Sequence, residues 1–303
     1  MAFYAVNTMS LLDKTPSNTE ASKFLELVKK VGFADDGAHG CSSLESLLAA
    51  WIDINKTGPP LGYFPNAEKT WLIVKPHCLE KAKMLFKDFP DIKITCDGHE
   101  YLGSFIGTKD ATQTFMNKKV KEWSEDIEEL AKIAEFDPQL AYCAYIFAAS
   151  KRWQFVMRTT PFVSEWMKPL EILIREKLIP ALIGPQIISE DMRSVFALPA
   201  CVGGLGLSVL HEECEIEYAN SKTMTQQLSN AIFEQDRTFV VDEVLRSKAV
   251  KEVRERKAVK IKREMEILGR KLSNDMMKLL ELCSEKGASI WLTSLPFKKC
   301  GVA

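Results

Sequence analysis

The sequence predicts an α+β protein, in which a mixed region of short strands and helices precedes a region of helices alone. Before residue 108, short apolar runs alternate with helical patterns and are separated by Gly, Pro and Asp. From about residue 110, apolar residues such as Phe115, Trp123 and Ile127 recur at helical spacing. We therefore assign residues 1–108 to a first domain and residues 109–303 to a second, helical one.

The first half predicts a β-hairpin followed by a helix, a strand, a second helix and two further strands. LVKKVGFADDGAHG (27–40) suits a strand, a tight turn and a returning strand, followed by a helix that Ser42 or Ser43 caps. TWLIVK (70–75) is typical of a strand and residues 79–86 of a helix. In IKITCDGHEYLGSFIG (92–107), Asp97-Gly98 predicts a hairpin turn between the last two strands.

The overall charge points to no particular partner, because 40 basic residues nearly balance 41 acidic ones and the net charge is −1. Arg246 to Lys271 is the exception, with eleven basic and four acidic residues and a local charge of +7. No apolar run approaches the ~20 residues that a membrane span requires. We expect an intracellular protein without a membrane partner, and the sequence does not distinguish nucleus from cytoplasm.

Two adjacent carboxylates, Asp35 and Asp36, stand at the first predicted turn. Such neighbours repel each other, and their hard oxygen atoms suit Mg²⁺. In two-metal enzymes, ions about 3.5–4 Å apart clamp the attacking and leaving oxygens of a phosphoryl displacement. Asp-Asp-Gly is also ordinary chemistry for a solvated turn, so the residues alone leave both interpretations open.

The order of several motifs resembles the palm and thumb of reverse transcriptases encoded by retrotransposons. FADD (33–36) resembles their metal-binding YxDD/FxDD box, GYFPNAEKTWLIV (62–74) the next palm element, and GHEYLGSFIG (98–107) the hairpin that grips the primer. RTTP (158–161), LIPAL (178–182) and ALPACVGGLGL (197–207) look like the thumb and C-terminal extension. The resemblance implies a partial palm of antiparallel strands with helices, followed by a thumb-like helical region.

The resemblance also implies the chemistry of three residues. Asp35 and Asp36 would be the catalytic Mg²⁺ ligands of an RNA-directed DNA polymerase, beside the end of the primer. Lys69 would protonate or stabilise the departing pyrophosphate. Taken without the family, a lysine in a polar loop is usually solvated.

Tyr101, Leu102 and Gly103 would position the primer in the template–primer duplex, which the resemblance implies as the partner. The residue pattern also allows Tyr101 and Phe105 to be the buried face of a hairpin.

Parts of the family pattern are not matched by this chain: a further palm aspartate, a Gln-Gly loop that holds the template, and the fingers. We therefore expect that this polypeptide does not polymerise DNA alone and that a separate fingers and palm portion is required. The alternative is a non-catalytic module derived from such an enzyme, which binds nucleic acid or another helix.

The basic segment has several interpretations. Arg254, Lys257 and Lys260 can lie along the phosphates of a duplex, which makes binding salt-dependent. Pairs such as Glu252 and Arg256, at i and i+4, instead favour a solvated helix with internal salt bridges, and an apolar stripe allows a partner helix. We favour nucleic acid. The aromatic residues of the preceding helices are expected to anchor helix packing rather than stack on bases, namely Trp153, Phe155 and Trp166.

Overall fold

The computed structural model describes residues 28–33, 36–236 and 238–294. These residues confirm the α+β class: most are helical, and the strands among them form three separate two-stranded sheets. The chain forms two compact units. The first consists of Met1–His99, Ile106–Thr108 and Thr225–Asp242, and the second of Glu100–Phe105, Lys109–Met224 and Glu243–Ala303.

The first unit contains two of the sheets. Its elements are β1 (Lys29–Phe33), β2 (Asp36–Gly40), α1 (Leu44–Thr57), β3 (Trp71–Ile73), α2 (Leu79–Leu85) and β4 (Lys93–Thr95), with 3₁₀ turns at Pro59–Leu61, Ala67–Lys69 and Pro76–Cys78. The predicted cap of α1 is confirmed, since the Ser43 side chain accepts a 3.2 Å hydrogen bond from the N–H of Ser46. β1 and β2 are antiparallel, but β3 and β4 pair in parallel with α2 between them. The expectation of antiparallel strands is therefore wrong for β3 and β4, because a helical crossover produces a parallel pair.

The predicted hairpin turn at Asp97-Gly98 is also wrong. The strands β5 (Gly98–Tyr101) and β6 (Ser104–Gly107) pair with each other, so the turn lies at Leu102-Gly103. Both turn residues have positive φ, +50° and +77°, as a two-residue type I′ turn requires. Asp97-Gly98 instead forms the bend between β4, which pairs with β3, and β5.

The second unit is helical apart from its share of the β5–β6 hairpin. Its helices are α3 (Lys109–Ala134), α4 (Pro138–Ala144), α5 (Ser150–Thr159), α6 (Ser164–Leu173), α7 (Ile179–Ile183), α8 (Glu190–Ala197), α9 (Leu210–Glu234, which continues into the first unit), α10 (Glu243–Lys271) and α11 (Asn274–Ser284). Single π-helical turns, Tyr145–Ala149 and Ile174–Leu178, interrupt the helical run, and 3₁₀ turns lie at Ala200–Val202 and Ile290–Thr293. Among the described residues, no helix is both long and apolar enough to cross a bilayer.

The core of the helical unit follows the predicted stripe of α3. Phe115, Val120, Trp123, Ile127 and Leu130 are all buried, which confirms the helical spacing. Ile133, which continues the same spacing, is 41% exposed near the end of the helix. Trp123 meets Trp153 of α5 edge to face with ring centroids 6.1 Å apart, a favoured aromatic geometry.

A buried ion pair joins α6 to α8. Arg193 Nε donates to Glu171 Oε1 at 2.6 Å and Nη2 donates to Oε2 at 2.9 Å, with both residues less than a tenth exposed. Arg193 also donates to the carbonyls of Leu207 and Ser208, and Glu171 Oε2 accepts from the N–H of Leu210. The two side chains thus fix the glycine-rich bend before α9 and the first residue of α9.

The bend needs glycine where the backbone doubles back on itself. A Cβ at Gly204 would lie 2.1 Å from the carbonyl oxygen of Leu198, a distance at which no side chain fits. This explains the ALPACVGGLGL sequence as a locking bend, as its glycine content predicts.

We expect Arg193→Leu to lower the free energy of unfolding by about 3–5 kcal/mol, because Glu171 would remain buried without its partner. Urea denaturation followed by circular dichroism measures the loss. The matched control is Arg152→Leu, whose ion pair with Asp126 is 49% and 38% exposed and should contribute about 1 kcal/mol or less. Equal losses in the two variants would contradict the structural importance of the buried pair.

Candidate nucleic-acid interface

Phe33 and Asp36 of the FADD sequence are the last described pair of the β1–β2 hairpin. Phe33 pairs with Asp36, so Ala34 and Asp35 are the two residues between the strands, and Gly32 pairs with Gly37. Asp36 is exposed, whereas Ala34 and Asp35 lie outside the described residues. The two strands predicted within residues 27–40 are confirmed, and they pair antiparallel.

His39 of β2 pairs across the strands with Lys30 and faces the side of the hairpin on which α1 lies. A small cavity of about 20 Å³ separates hairpin and helix and has room for about one water molecule; its lining includes Lys30, His39, Asp53, Thr57 and Tyr63. Burial, and after it the charge of Lys30, lower the pKa of His39 from 6.5 to about 4. His39 is therefore neutral at physiological pH.

The free edge of β1 is covered by a side-chain amide. The N–H of Lys30 donates to Gln235 Oε1 and Gln235 Nε2 donates to the carbonyl of Lys30, both at 3.0 Å. The Gln235 amide thus takes the place of a neighbouring strand at this residue, which protects an edge that would otherwise offer its backbone to another chain. Lys29 Nζ lies 5.4 Å from the centre of the Phe233 ring and adds a cation–π contact.

The described residues supply one carboxylate, that of Asp36, at the predicted magnesium site. The described part of the chain contains no group of three or more His, Cys, Asp or Glu side chains that could hold a metal ion. A two-ion centre needs several oxygen ligands shared between its ions. The described residues at this hairpin thus supply fewer oxygen ligands than such a centre requires.

Lys69 is the last residue of the 3₁₀ turn Ala67–Lys69 and is exposed. The turn begins at Asn66, whose side-chain oxygen accepts a 3.2 Å hydrogen bond from the N–H of Lys69. The asparagine of the NAEK sequence therefore fixes the backbone of Lys69 while its side chain extends into solvent.

Tyr101, Leu102 and Gly103 form the tip of the β5–β6 hairpin. Leu102 is 42% exposed, and its φ of +50° is unusual for a residue with a Cβ. The hairpin is anchored to the helical unit next to this tip: Phe105 stacks on Phe115 with centroids 5.3 Å apart. Tyr101 is half-buried, so both interpretations of its role stay compatible with its position.

Two more contacts hold this hairpin. Glu100 pairs with Lys119 of α3 at 3.4 Å, and the hydroxyls of Ser104 and Thr160 are 3.0 Å apart. These contacts hold the hairpin tip in a fixed position on the helical unit.

The basic helix α10 packs along α9 through ion pairs. Lys257 Nζ contacts Glu217 at 2.8 Å, and Lys260 pairs with Glu213, so two of the three predicted nucleic-acid ligands have partners within the chain. Arg254 is exposed, and no ion pair joins it to another described residue. The sequence signal that we missed is the i, i+4 spacing of Glu213 and Glu217 on α9, which matches cations on α10.

The electrostatics of Glu217 reflect these contacts. Burial raises the pKa of this carboxyl, but hydrogen bonds from Lys257 and Arg158 outweigh it and hold the pKa below its usual value. Glu252 and Arg256 form the expected i, i+4 pair at 2.6 Å, and Arg256 also donates to Asn220. The interpretation of α10 as a helix with internal salt bridges is thus confirmed for these residues.

The aromatic anchors divide into two groups. Trp153 is fully buried and Trp166 packs against the core, as predicted. Phe155 is 44% exposed, so its assignment as a packing anchor is wrong.

Comparison of the chain with protein-family models, with curated proteins and with solved structures finds no match.

We expect the first unit to lose about 3 kcal/mol of stability as the pH falls from 6.5 to about 4, because the unfolded chain binds the proton of His39 more tightly in that interval. Above pH 6.5 this contribution is fully present. Urea denaturation across the interval measures it: His39→Leu should flatten the pH dependence, and the exposed control His77→Leu should preserve it. Identical profiles for the two variants would contradict this account.

Proposed function

We propose that this chain is a protein of the reverse-transcriptase lineage that binds a template–primer duplex and does not by itself complete a polymerase centre. The observation that supports the proposal most is the register of β1 and β2. Phe33 pairs with Asp36, so Asp36 begins β2 at the closed end of the hairpin, and Asp35 directly precedes it in the sequence. A metal-bearing FxDD box requires its carboxylates at such a turn, where no neighbouring strand covers them.

In this proposal Asp35 and Asp36 hold a single Mg²⁺ beside the primer end. A bound Mg²⁺ would neutralise phosphate charge there. Lys69, exposed on its capped turn, would serve a departing pyrophosphate only when a separate fingers and palm portion completes the polymerase centre. Tyr101, Leu102 and Gly103 would contact the primer from the anchored β5–β6 hairpin.

A second candidate, a non-catalytic module, has its own support. Lys257 and Lys260 face Glu217 and Glu213 within the chain, so much of the local positive charge of α10 is used in helix packing. In that case α10 has mainly an architectural role, and nucleic acid contacts other parts of the protein.

The test of the leading proposal is Mg²⁺-dependent duplex binding, measured by fluorescence anisotropy with a labelled template–primer. Affinity should fall as salt rises from about 50 to 200 mM. Mg²⁺ should raise the affinity of the wild type by about fivefold, equivalent to ~1 kcal/mol, but not that of the variant with Asp35→Asn and Asp36→Asn. The matched control carries Asp88→Asn and Asp91→Asn, which remove two exposed carboxylates from the same unit.

An equal response to Mg²⁺ in the control and in the hairpin variant would contradict the metal proposal. Primer extension by the same preparation should stay at background, because two neighbouring carboxylates do not form a two-ion clamp. Robust Mg²⁺-dependent incorporation would contradict the proposed incompleteness of the centre.

A second experiment separates duplex contact by α10 from helix packing. Lys257→Ala with Lys260→Ala should lower the free energy of unfolding by about 1–3 kcal/mol, because two glutamates lose their partners, and should leave the salt dependence of duplex binding unchanged. Arg254→Ala should reduce the slope of log K against log salt by about 0.9 if this residue contacts a phosphate. The exposed Lys262→Ala is the stability control.

The opposite outcome, a lower slope in the double lysine variant with unchanged stability, would show that these lysines contact phosphates rather than α9.

A further inference from the structure

The outer face of α5 carries an aromatic ring between two cations. Phe155 is 44% exposed, and Lys151 and Arg158, four residues before it and three after it, are exposed as well. At 3.6 residues per turn these three residues share one side of the helix, opposite Trp153 in the core. We call Lys151, Phe155 and Arg158 the α5 strip.

The ring of Phe155 is held from one side by the tip of the β5–β6 hairpin. A Cβ added at Gly103, where φ is +77°, would lie 3.4 Å from Cε1 of the ring, so the backbone of this glycine lies directly against the ring. A ring supported on one side and exposed on the remainder keeps its orientation when a ligand arrives. Less rotamer entropy is then lost on binding than with a freely rotating side chain.

The charge around the ring is positive. The segment Ser150–Thr159 contains Lys151, Arg152 and Arg158 and no acidic residue. Arg152 pairs with Asp126, and Arg158 uses Nε for a 2.8 Å bond to Glu217, while Lys151 contacts the neutral Gln154. The Arg152 pair is exposed and contributes little, whereas Glu217 is only 11% exposed and holds Arg158 in place. A guanidinium has five N–H donors, so Arg158 can keep its bond to Glu217 and also donate to a phosphate.

An exposed aromatic ring flanked by cations has the chemistry of a surface that binds single-stranded nucleic acid. Bases stack on such rings with little dependence on sequence, and neighbouring cations follow the phosphates. Base pairs inside a duplex cannot stack on the ring, because both of their faces are covered by neighbouring pairs. The strip spans about 10 Å along α5, at 1.5 Å per residue, which suits a stretch of a few nucleotides.

We propose that the α5 strip is a binding platform for single-stranded DNA or RNA, with one base stacked on Phe155 and its phosphates bound by Lys151 and Arg158. The platform goes beyond the proposed function, since it requires neither a duplex nor Mg²⁺ and does not involve the β1–β2 hairpin. Phe147, four residues before Lys151 and 53% exposed, lies in the preceding π turn and offers a second ring toward that end of the helix.

The experiment measures the affinity of the full chain for labelled oligothymidine and oligouridine by fluorescence anisotropy, without Mg²⁺. Phe155→Leu keeps an apolar side chain against Gly103 but removes the ring, and should weaken binding of both oligomers about tenfold. Phe155→Tyr should retain the wild-type affinity. Lys151→Ala should weaken binding and lower its salt slope by about 0.7, the value for one phosphate contact on a single strand.

Phe136→Leu is the matched control, because Phe136 is 88% exposed in the same unit and distant in sequence from the strip. Photocrosslinking of a 4-thiouridine oligomer, mapped by mass spectrometry, should label Phe155 and not Phe136. Thermal denaturation of each variant tests whether a loss of binding reflects a loss of folding.

Equal affinities of the wild type, Phe155→Leu and Phe136→Leu would overturn the platform, as would a wild type that binds neither oligomer. Phe155-dependent binding of single strands supports it even if the duplex does not bind, an outcome that refutes the proposed function alone. Duplex binding with no effect of Phe155→Leu on single strands refutes the platform alone.

Discussion

The helical unit depends on the buried pair of Glu171 and Arg193. Removing two charges from water has a large desolvation cost, which only a complete set of partners can offset. Here each side chain has such a set, because the pair is bidentate and also bonds the backbone at Leu207, Ser208 and Leu210. These bonds fix the backbone conformation of the bend before α9 and the residue at which α9 begins.

The residue at which α9 begins in turn determines which residues of α10 form ion pairs with it. With α9 fixed at Leu210, Glu213 and Glu217 come within ion-pair distance of Lys260 and Lys257. The basic segment then has an inner side, whose lysines pair with α9, and an outer side that carries both cations and carboxylates. A net charge counted along the sequence therefore overstates the field that a nucleic acid would meet.

The sequence predicted structure correctly where contacts form between near neighbours in the chain. It failed where residues distant in the sequence determine the pairing. The β1–β2 hairpin and the α3 core stripe follow from neighbouring residues, and both were predictable. Asp97-Gly98 has the local signal of a hairpin turn. However, β4 pairs with β3, more than twenty residues earlier, and therefore does not form a hairpin with β5. The partners of Lys257 and Lys260 are similarly remote, whereas the exposure of Phe155 was predictable, since two residues of helix rotate it ~200° from Trp153.

The balance of positive and negative charge differs between α10 and α5, and this difference affects how well each helix can bind a nucleic acid. The exposed cations of α10 are interspersed with Glu252, Glu255 and Glu266, so a phosphate backbone along this helix would meet repulsion as well as attraction. In α5 the cations stand beside an exposed ring, and the helix contains no carboxylate. The +7 segment is the stronger signal in the sequence, but α5 combines positive charge with a stacking surface. Surfaces that bind unpaired strands combine positive charge with rings on which bases stack, and α5 offers both.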